Sequence, residues 1–184
     1  QILARVKQLG LTDDTLVIFT SDNGPWLSYG EHAGSRGELR EGKGTSWEGG
    51  IRVPMIASWP GVIPKGMVTT QPAMTIDIFP TLRRIVGAAP GKNAIDGYDI
   101  GENLAAGDTA GADERVYWTY YNTNELQAVR KGRWKLILPH TYRTLINKPV
   151  AKGGKPVNYT NVKTALALYD IYADPGETLD MSAK

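Results

Sequence analysis

A carboxylate and a carboxamide stand side by side at the end of an apolar run in this chain of 184 residues. Asp22 and Asn23 follow the run TLVIFT, Thr15–Thr20, and precede Gly24. Both side chains offer hard oxygen donors, which suit Ca²⁺ or Mg²⁺ better than zinc. Asn-Gly is also a common turn dipeptide. Two interpretations therefore stay open for these residues: half of a cation site, or a turn and nothing more.

A lysine between two glycines is the second candidate. Lys43 lies in the stretch LREGKGTSWEGGIRVP, residues 39–54. Because glycine permits a close backbone approach, such a loop can present the lysine to an anion. The stretch is not a P-loop, since the G-x-x-x-x-G-K-[ST] spacing is absent. The plainer alternative is a solvated lysine in a surface loop.

Other side chains carry weaker signals. His32 and His140 are the two histidines, and a histidine without a visible partner is more often a hydrogen-bonding residue than a ligand. Glu48 and Arg52 are four positions apart, which predicts an ion pair that orders the loop. Aromatic residues crowd the run VYWTYY, residues 116–121, which reads as a half-buried strand whose exposed rings could stack on a sugar.

The first half of the chain has the pattern of an α/β protein. A helix is predicted from Ile2 to Leu9, ended by Gly10, and nothing before Ile2 caps its start, so we expect the C-terminal part of a longer protein. Thr15–Thr20 lacks alternation, which indicates a strand buried on both faces of a parallel sheet. Residues 25–50 show no sustained periodicity. A second strand is predicted at Val53–Trp59, and a helix at Thr75–Val86 with Thr75 as its N-cap.

The second half reads as a small antiparallel sheet. A loop-like stretch, residues 88–113, separates it from the first half, and we place the domain boundary there, with domains 1–112 and 113–184. Four strands are predicted, and a hairpin turn at Lys131-Gly132 is predicted between the second and the third. Their predicted bounds are Val116–Tyr121, Leu126–Arg130, Trp134–Leu138 and Leu166–Tyr172. Residues 140–164 carry no strong secondary-structure signal.

Composition excludes several partners. Lys and Arg number 21 and Asp and Glu 19, so bulk charge predicts no attraction to nucleic acid. No apolar run reaches the roughly 18 residues of a membrane-spanning helix, so no membrane insertion is expected. The chain has no cysteine, which excludes disulfides and a cysteine nucleophile within it but leaves the compartment undecided. A small partner is therefore expected.

Four segments together resemble one family. LVIFTSDNGP, then HAGSRGELREGKGTSWEGGIRVPMIASWPG, then TIDIFPTL, and finally LALYDIYADPGET resemble, in order and spacing, the C-terminal half of the formylglycine-dependent sulfatases, the arylsulfatase A-like branch of the alkaline phosphatase superfamily. The resemblance implies an α/β fold: the C-terminal portion of the large-sheet catalytic domain, followed by a small antiparallel four-stranded subdomain with a helix.

The resemblance also implies roles for individual residues. Asp22 and Asn23 match the positions that bind a divalent cation, usually Ca²⁺ and otherwise Mg²⁺. Lys43 matches the lysine that binds a sulfate oxygen and is the implied catalytic residue of this chain. His32 falls in the loop that reaches the substrate in relatives. The implied substrates are aryl or carbohydrate sulfate esters, so the expected partner is a sulfated small molecule or glycan.

The family's formylglycine has no counterpart here. It is made from the Cys or Ser of a C/S-x-P-x-R motif, which this chain does not contain. The chain alone is therefore expected to be inactive, as a fragment of an exported parent enzyme. Two alternatives stay open: a phosphodiesterase or phosphonate-ester hydrolase of the same superfamily, and a non-catalytic binding module. Strands taken from a larger sheet would also expose edges, which predicts self-association.

Overall fold

The computed structural model describes residues 1–107, 115–122 and 124–183. The helices are α1 (Ile2–Gln8), α2 (Glu48–Ile51), α3 (Ile78–Ile85) and α4 (Gly101–Ala106), with 3₁₀ turns at Leu27–His32 and Thr75–Asp77. The strands are β1 (Val17–Thr20), β2 (Met55–Ser58), β3 (Val116–Tyr121), β4 (Glu125–Lys131), β5 (Trp134–Ile137), β6 (His140–Thr144), β7 (Thr160–Thr164) and β8 (Ala167–Asp170). The predicted mixture of helices and antiparallel strands is confirmed.

The chain forms two compact units. The first comprises residues 1–20 and the described part of 55–113; the second comprises residues 21–54 and the described part of 114–184. Residues 21–54 thus belong with the C-terminal strands, although they are remote from them in sequence. The predicted boundary between residues 112 and 113 lies outside the described residues and stays a prediction. In the described part of the chain, no helix has the length and apolar character needed to cross a membrane.

In the first unit, β1 and β2 pair with each other. They run antiparallel, with Val17 opposite Ser58 and Thr20 opposite Met55. The expectation of a parallel strand buried on both faces is therefore wrong for β1. Phe19 is 68% exposed, because within the described residues β1 and β2 form a sheet of only two strands. An unalternating apolar run predicts a strand, but not whether a neighbour covers it.

The helix α3 is entered through a polar turn. Thr75 begins this 3₁₀ turn and is not the N-cap, which corrects the prediction. The fully buried Asp77 carboxylate instead accepts hydrogen bonds from the backbone amides of Met74, at 2.7 Å, and Tyr98, at 2.9 Å. Pro80 is tolerated because it lies in the first turn of α3, where the backbone N–H has no partner within the helix.

The second unit contains the predicted four-stranded antiparallel sheet, in the order β3-β4-β5-β8. The hairpin between β4 and β5 is confirmed, with Lys131 opposite Trp134. Residues 140–164, which carry no strong secondary-structure signal in the sequence, contain a second hairpin in which β6 pairs with β7. Both strands are polar, HTYRT and TNVKT, so neither carries the apolar alternation that predicts a strand.

The irregular segment before α2 supplies the centre of the core. Trp47 is fully buried, and its ring makes edge-to-face contacts with Tyr142 and Tyr169, with centroids 5.4 and 5.8 Å apart. The Arg40 guanidinium lies over the Trp47 ring, 3.5 Å from the ring centroid. A segment without periodicity is therefore held by aromatic packing with strands far along the chain.

Candidate functional site

A cleft of about 390 Å³ in the second unit brings three predicted site residues together. Its described walls are residues 21–26, residues 33–36, Lys43, Gly49 and residues 52–54. Asp22, Asn23 and Lys43 therefore face one cavity, although Lys43 is some twenty positions from the other two. We call this cavity the sulfate cleft, because sulfate is the ligand that the family resemblance of the sequence implies.

Backbone contacts join the two loops that build the sulfate cleft. The Lys43 amide donates to the carbonyl of Pro25, at 2.9 Å, and the Gly24 amide donates to the carbonyl of Gly50, also at 2.9 Å. A Cβ atom at position 24 would overlap the backbone of Gly49. Glycine at position 24 is thus required for the close approach of the two loops, which explains the sequence Asn-Gly better than a turn preference does.

Asp22 and Asn23 fit part of a site for a hard cation. The Asn23 amide nitrogen donates to the Asp22 carboxylate, at 2.5 Å, so the two side chains touch. Ca²⁺ takes about six to eight oxygen ligands, and these two residues supply a minority of them. Among residues 1–107, 115–122 and 124–183, no group of three or more His, Cys, Asp or Glu side chains could hold a metal ion. The donor chemistry fits, and the donor number does not complete a site.

The sulfate cleft carries a positive charge. Its described lining includes three basic side chains, Arg36, Lys43 and Arg52, and one carboxylate, Asp22. The Lys43 ammonium also lies 5.5 Å from the centroid of the Trp26 ring, a cation–π distance. Such a concentration of cations in a concave surface attracts and retains anions.

The segment that leads to Arg52 is anchored by a buried ion-pair network. Lys135 Nζ lies 3.0 Å from Glu48 Oε1 and 2.9 Å from Glu177 Oε1, and all three side chains are almost fully buried. The Glu48 amide donates to Glu177 Oε2 at 2.7 Å, at the start of α2. Burial raises the pKa of Glu177, and the nearby Lys135 opposes that rise. The network positions α2 and the residues that follow it.

The predicted pairing of Glu48 with Arg52 is present but secondary. Their closest atoms are 4.0 Å apart, and the Arg52 side chain is half-exposed. Sequence reasoning missed Lys135 and Glu177 as partners of Glu48. A signal existed: Lys135 interrupts the apolar strand WKLI, where a buried lysine needs a carboxylate.

Arg143, a third residue that sequence reasoning missed, holds the loop that carries Lys43. The Arg143 guanidinium donates through Nε to the carbonyl of Lys43, at 3.0 Å, and also through Nη2 to the same oxygen. Gly44 has φ +84°, and a Cβ at that position would overlap the Arg143 guanidinium. The second glycine of the GKG sequence is therefore needed for its conformation and for the approach of Arg143.

His32 does not line the sulfate cleft, whereas its neighbour Ala33 does. The imidazole is exposed, and its Nε2 atom lies 3.5 Å from Glu31 Oε1. The structure thus groups Asp22, Asn23 and Lys43 and leaves His32 outside the group. Its role in substrate binding stays a prediction.

Comparison with known proteins agrees with these motifs. The sequence model of the sulfatase family matches residues 1–88. Mouse steryl-sulfatase is 36% identical over 193 residues, which cover 96% of this chain and 30% of that protein. Human arylsulfatase A is 33% identical over 185 residues, covering 98% of this chain and 36% of that protein.

Solved structures extend the similarity to the fold. The PsFucS1 sulfatase from Pseudoalteromonas sp. superposes with a TM-score of 0.79 and 30% identity, over 98% of this chain and 35% of that structure. The chain thus spans about a third of the length of the relatives it matches. The agreement of sequence motifs, curated relatives and fold identifies this protein as a sulfatase-family chain.

Proposed function

We propose that this chain supplies the anion-binding half of a sulfate-ester hydrolase. The observation that carries the proposal is the grouping of Asp22, Asn23 and Lys43 in one positively charged cleft. Family membership supports the reaction class. The proposed substrates are aryl or carbohydrate sulfate esters, so the partner is a sulfated small molecule or glycan.

In this proposal, Lys43 binds a sulfate oxygen. Its ammonium group stabilises the negative charge that grows on the ester as the bond to the leaving oxygen breaks. Arg143 binds the Lys43 carbonyl and Pro25 accepts a hydrogen bond from the Lys43 amide. The backbone that carries the Lys43 side chain is therefore held in place on both sides. Arg52 adds positive charge to the same cleft.

Asp22 and Asn23 would hold Ca²⁺ or Mg²⁺, which acts as a Lewis acid on a sulfate oxygen when bound. The formylglycine nucleophile is not encoded here, since the chain has no C/S-x-P-x-R motif. We therefore propose that this chain alone binds sulfate without hydrolysing its esters.

Titration with inorganic sulfate, with NMR chemical shifts as the readout, tests the role of Lys43. Lys43→Ala should weaken sulfate binding by roughly 10- to 100-fold, the effect of losing a hydrogen bond from a charged group. Lys163→Ala, at an exposed position of β7, is the matched control and should bind as the wild type does. Equal binding by both variants would remove Lys43 from the site.

Ca²⁺ titration tests the cation site separately. Asp22→Asn should weaken Ca²⁺ binding, and Asp14→Asn, at an exposed position outside the sulfate cleft, should not. Failure of Asp22→Asn to change the affinity would reject the metal role of this pair.

The missing nucleophile motif favours a second candidate, a non-catalytic sulfate-binding module. Incubation of the chain with p-nitrophenyl sulfate and with bis-p-nitrophenyl phosphate tests the proposed inactivity and the phosphodiesterase alternative. No turnover of either ester is expected. Release of p-nitrophenol from the sulfate ester would show that the proposed inactivity is wrong, and release from the phosphodiester alone would favour the phosphodiesterase alternative.

A further inference from the structure

A second cleft, of about 480 Å³, lies beside the C-terminal strands of the second unit. Its lining residues are Gly44, Tyr121, Asn122, Glu125, Gln127, Thr141, Tyr142, Arg143 and Asn161. We propose that this cleft, called the ring cleft, binds an uncharged sugar ring of a glycan whose sulfate group is bound at Lys43. The inference rests on the proposed function and narrows its substrate class to carbohydrate sulfates.

The two charges of the ring cleft are already engaged by the protein. Glu125 Oε2 accepts a hydrogen bond from Gln127 Nε2 at 2.7 Å, and the Arg143 guanidinium donates to the carbonyl of Lys43. Arg143 also lies 4.6 Å from the centroid of the Tyr159 ring. One acid and one base therefore cancel, in contrast to the excess of cations in the sulfate cleft. The ring cleft favours a neutral ligand over a second anion.

The remaining lining is rich in hydrogen-bonding groups. It consists of amide and hydroxyl side chains around aromatic rings, with no Leu, Ile, Val or Met among the described lining residues. A steroid would leave these polar groups without partners, at a cost in free energy. Sugar hydroxyls can both donate to and accept from amides and hydroxyls, so a hydroxyl-rich ring is the matching ligand.

The wall of the ring cleft is both rigid and accessible. Gln127 is buried, and its Oε1 atom accepts a hydrogen bond from Ser46 Oγ at 2.7 Å. At the rim, Tyr121 is 42% exposed, and Thr141 and Asn161 are also exposed. A buried, satisfied polar base with an aromatic ring and amides at its mouth is suited to a small polar ring.

The ring cleft is joined to the sulfate cleft through one loop. Lys43 lines the sulfate cleft, and the next residue, Gly44, lines the ring cleft. Consecutive Cα atoms are only about 3.8 Å apart. Arg143 lines the ring cleft while it binds the Lys43 carbonyl. The two clefts are therefore separated by a single loop, and the proposal places the sulfate on one side of this loop and a sugar ring of the same glycan on the other.

Calorimetric titration of the chain with unsulfated galactohexaose and chitohexaose tests the inference without any sulfate. At least one of these probes should bind. Tyr121→Ala should weaken its binding by about tenfold, and Asn161→Ala by about fivefold, as expected for the loss of an aromatic contact and of one or two hydrogen bonds. Tyr120→Ala is the matched control, since Tyr120 is 54% exposed on the same strand and does not line the ring cleft.

The controls separate this inference from the proposed function. Lys43→Ala should weaken the binding of inorganic sulfate by roughly 10- to 100-fold and leave the binding of the neutral probe unchanged. If neither probe binds the folded wild type, or if the Tyr121 and Asn161 variants bind the probe as the wild type does, the ring cleft is not a sugar site. Sugar binding that persists while Lys43→Ala retains sulfate binding would instead reject the proposed function.

Discussion

The two units of the chain bury polar groups in different ways. In the first unit, the buried carboxylate of Asp77 caps a local turn, and its partners are Met74 and Tyr98, 3 and 21 positions away. In the second unit, buried polar contacts join distant segments: Glu48 meets Lys135 across 87 positions, and Arg40 donates to the carbonyl of Glu177 across 137 positions.

The two units also differ in how far they bury their large apolar side chains. The first unit exposes large side chains on a two-stranded sheet, whereas the second packs Trp47 among rings from β6 and β8. An irregular segment can therefore be more firmly fixed than a regular strand. Burial and long-range polar contacts fix residues 40–48, whereas the backbone pairing of β1 and β2 leaves their side chains in solvent.

Removal of the central ring should break the second unit most severely. Trp47→Ala should lower the free energy of unfolding by about 5 kcal/mol, the upper end for truncation of a buried aromatic residue, because it leaves a cavity between two tyrosines. Urea denaturation followed by circular dichroism measures the change. Trp134→Ala, at a position 43% exposed, is the control and should cost far less. Similar losses from both variants would contradict the central role of Trp47.

Loss of the buried cation should have the next largest effect. Lys135→Met should lower the free energy of unfolding by about 3–4 kcal/mol, because Glu48 and Glu177 would remain buried without a counter-charge. Adding Glu48→Gln and Glu177→Gln should recover part of the loss. Lys163→Met, at an exposed position, is the control for removing a lysine from this unit. No recovery in the triple variant would show that Lys135 acts through packing and not through charge.

In the first unit, the largest polar effect should come from the turn before α3. Asp77→Ala should cost about 1–3 kcal/mol, because the amides of Met74 and Tyr98 would lose their acceptor. Thermal unfolding measures this change, with Asp96→Ala, at an exposed position, as the control. A loss as large as that of Lys135→Met would mean that the two units do not differ in the way proposed.

Acid should act on the C-terminal segment with a smaller effect. The amides of Ser182 and Leu168 donate to Asp180 and hold its pKa below the usual 3.8. Because the folded pKa is lowered, the stabilisation is complete above pH 3.8 and is lost as the pH falls through the lowered value.

Glu177 works in the opposite direction. Its pKa is raised above 4.5 by burial, so its favourable contribution lies at low pH and is lost as the pH rises through the raised value. Urea denaturation of the wild type and of Asp180→Asn from pH 2 to 7 checks the sign for Asp180, with the difference between the two proteins expected to shrink below about pH 4. A difference that grows towards low pH would contradict the assignment for Asp180.

The smallest effect on stability should come from the exposed sheet. Phe19 lies opposite Ile56, and both are mostly exposed. Phe19→Ser with Ile56→Thr should change the free energy of unfolding by no more than about 0.5 kcal/mol. We propose that this surface drives self-association, so the double variant should shift sedimentation velocity profiles towards the monomer. A wild type that is monomeric at the same concentrations would reject this proposal.

Much of the fold could be predicted from sequence where the pattern is local. The four strands of the C-terminal sheet follow from short aromatic and apolar runs separated by turn residues, and Lys131-Gly132 marked their central hairpin. The β6–β7 hairpin could not be predicted in this way, because its strands are polar and fifteen residues separate them.

The same division holds for the candidate site. Residue types and motif spacing singled out Asp22, Asn23 and Lys43, and the structure groups them in one cleft. Lys135, Glu177 and Arg143 escaped notice, because each acts on a residue about 90 to 130 positions away. The lysine within the apolar strand WKLI indicates that a carboxylate is needed, but a local pattern does not identify which one.

Residue types and short-range spacing were enough to indicate the family and the positions of most strands, whereas the predicted ligands stay proposals. The folded chain was needed to show that β1 pairs antiparallel with β2. It was also needed to show that Lys135 is buried between two carboxylates and that Arg143 donates a hydrogen bond to the Lys43 carbonyl. Side chains alternate between the two faces of a strand, so the sequence indicates which residues share a face. Which element packs against that face depends on the packing of the whole unit.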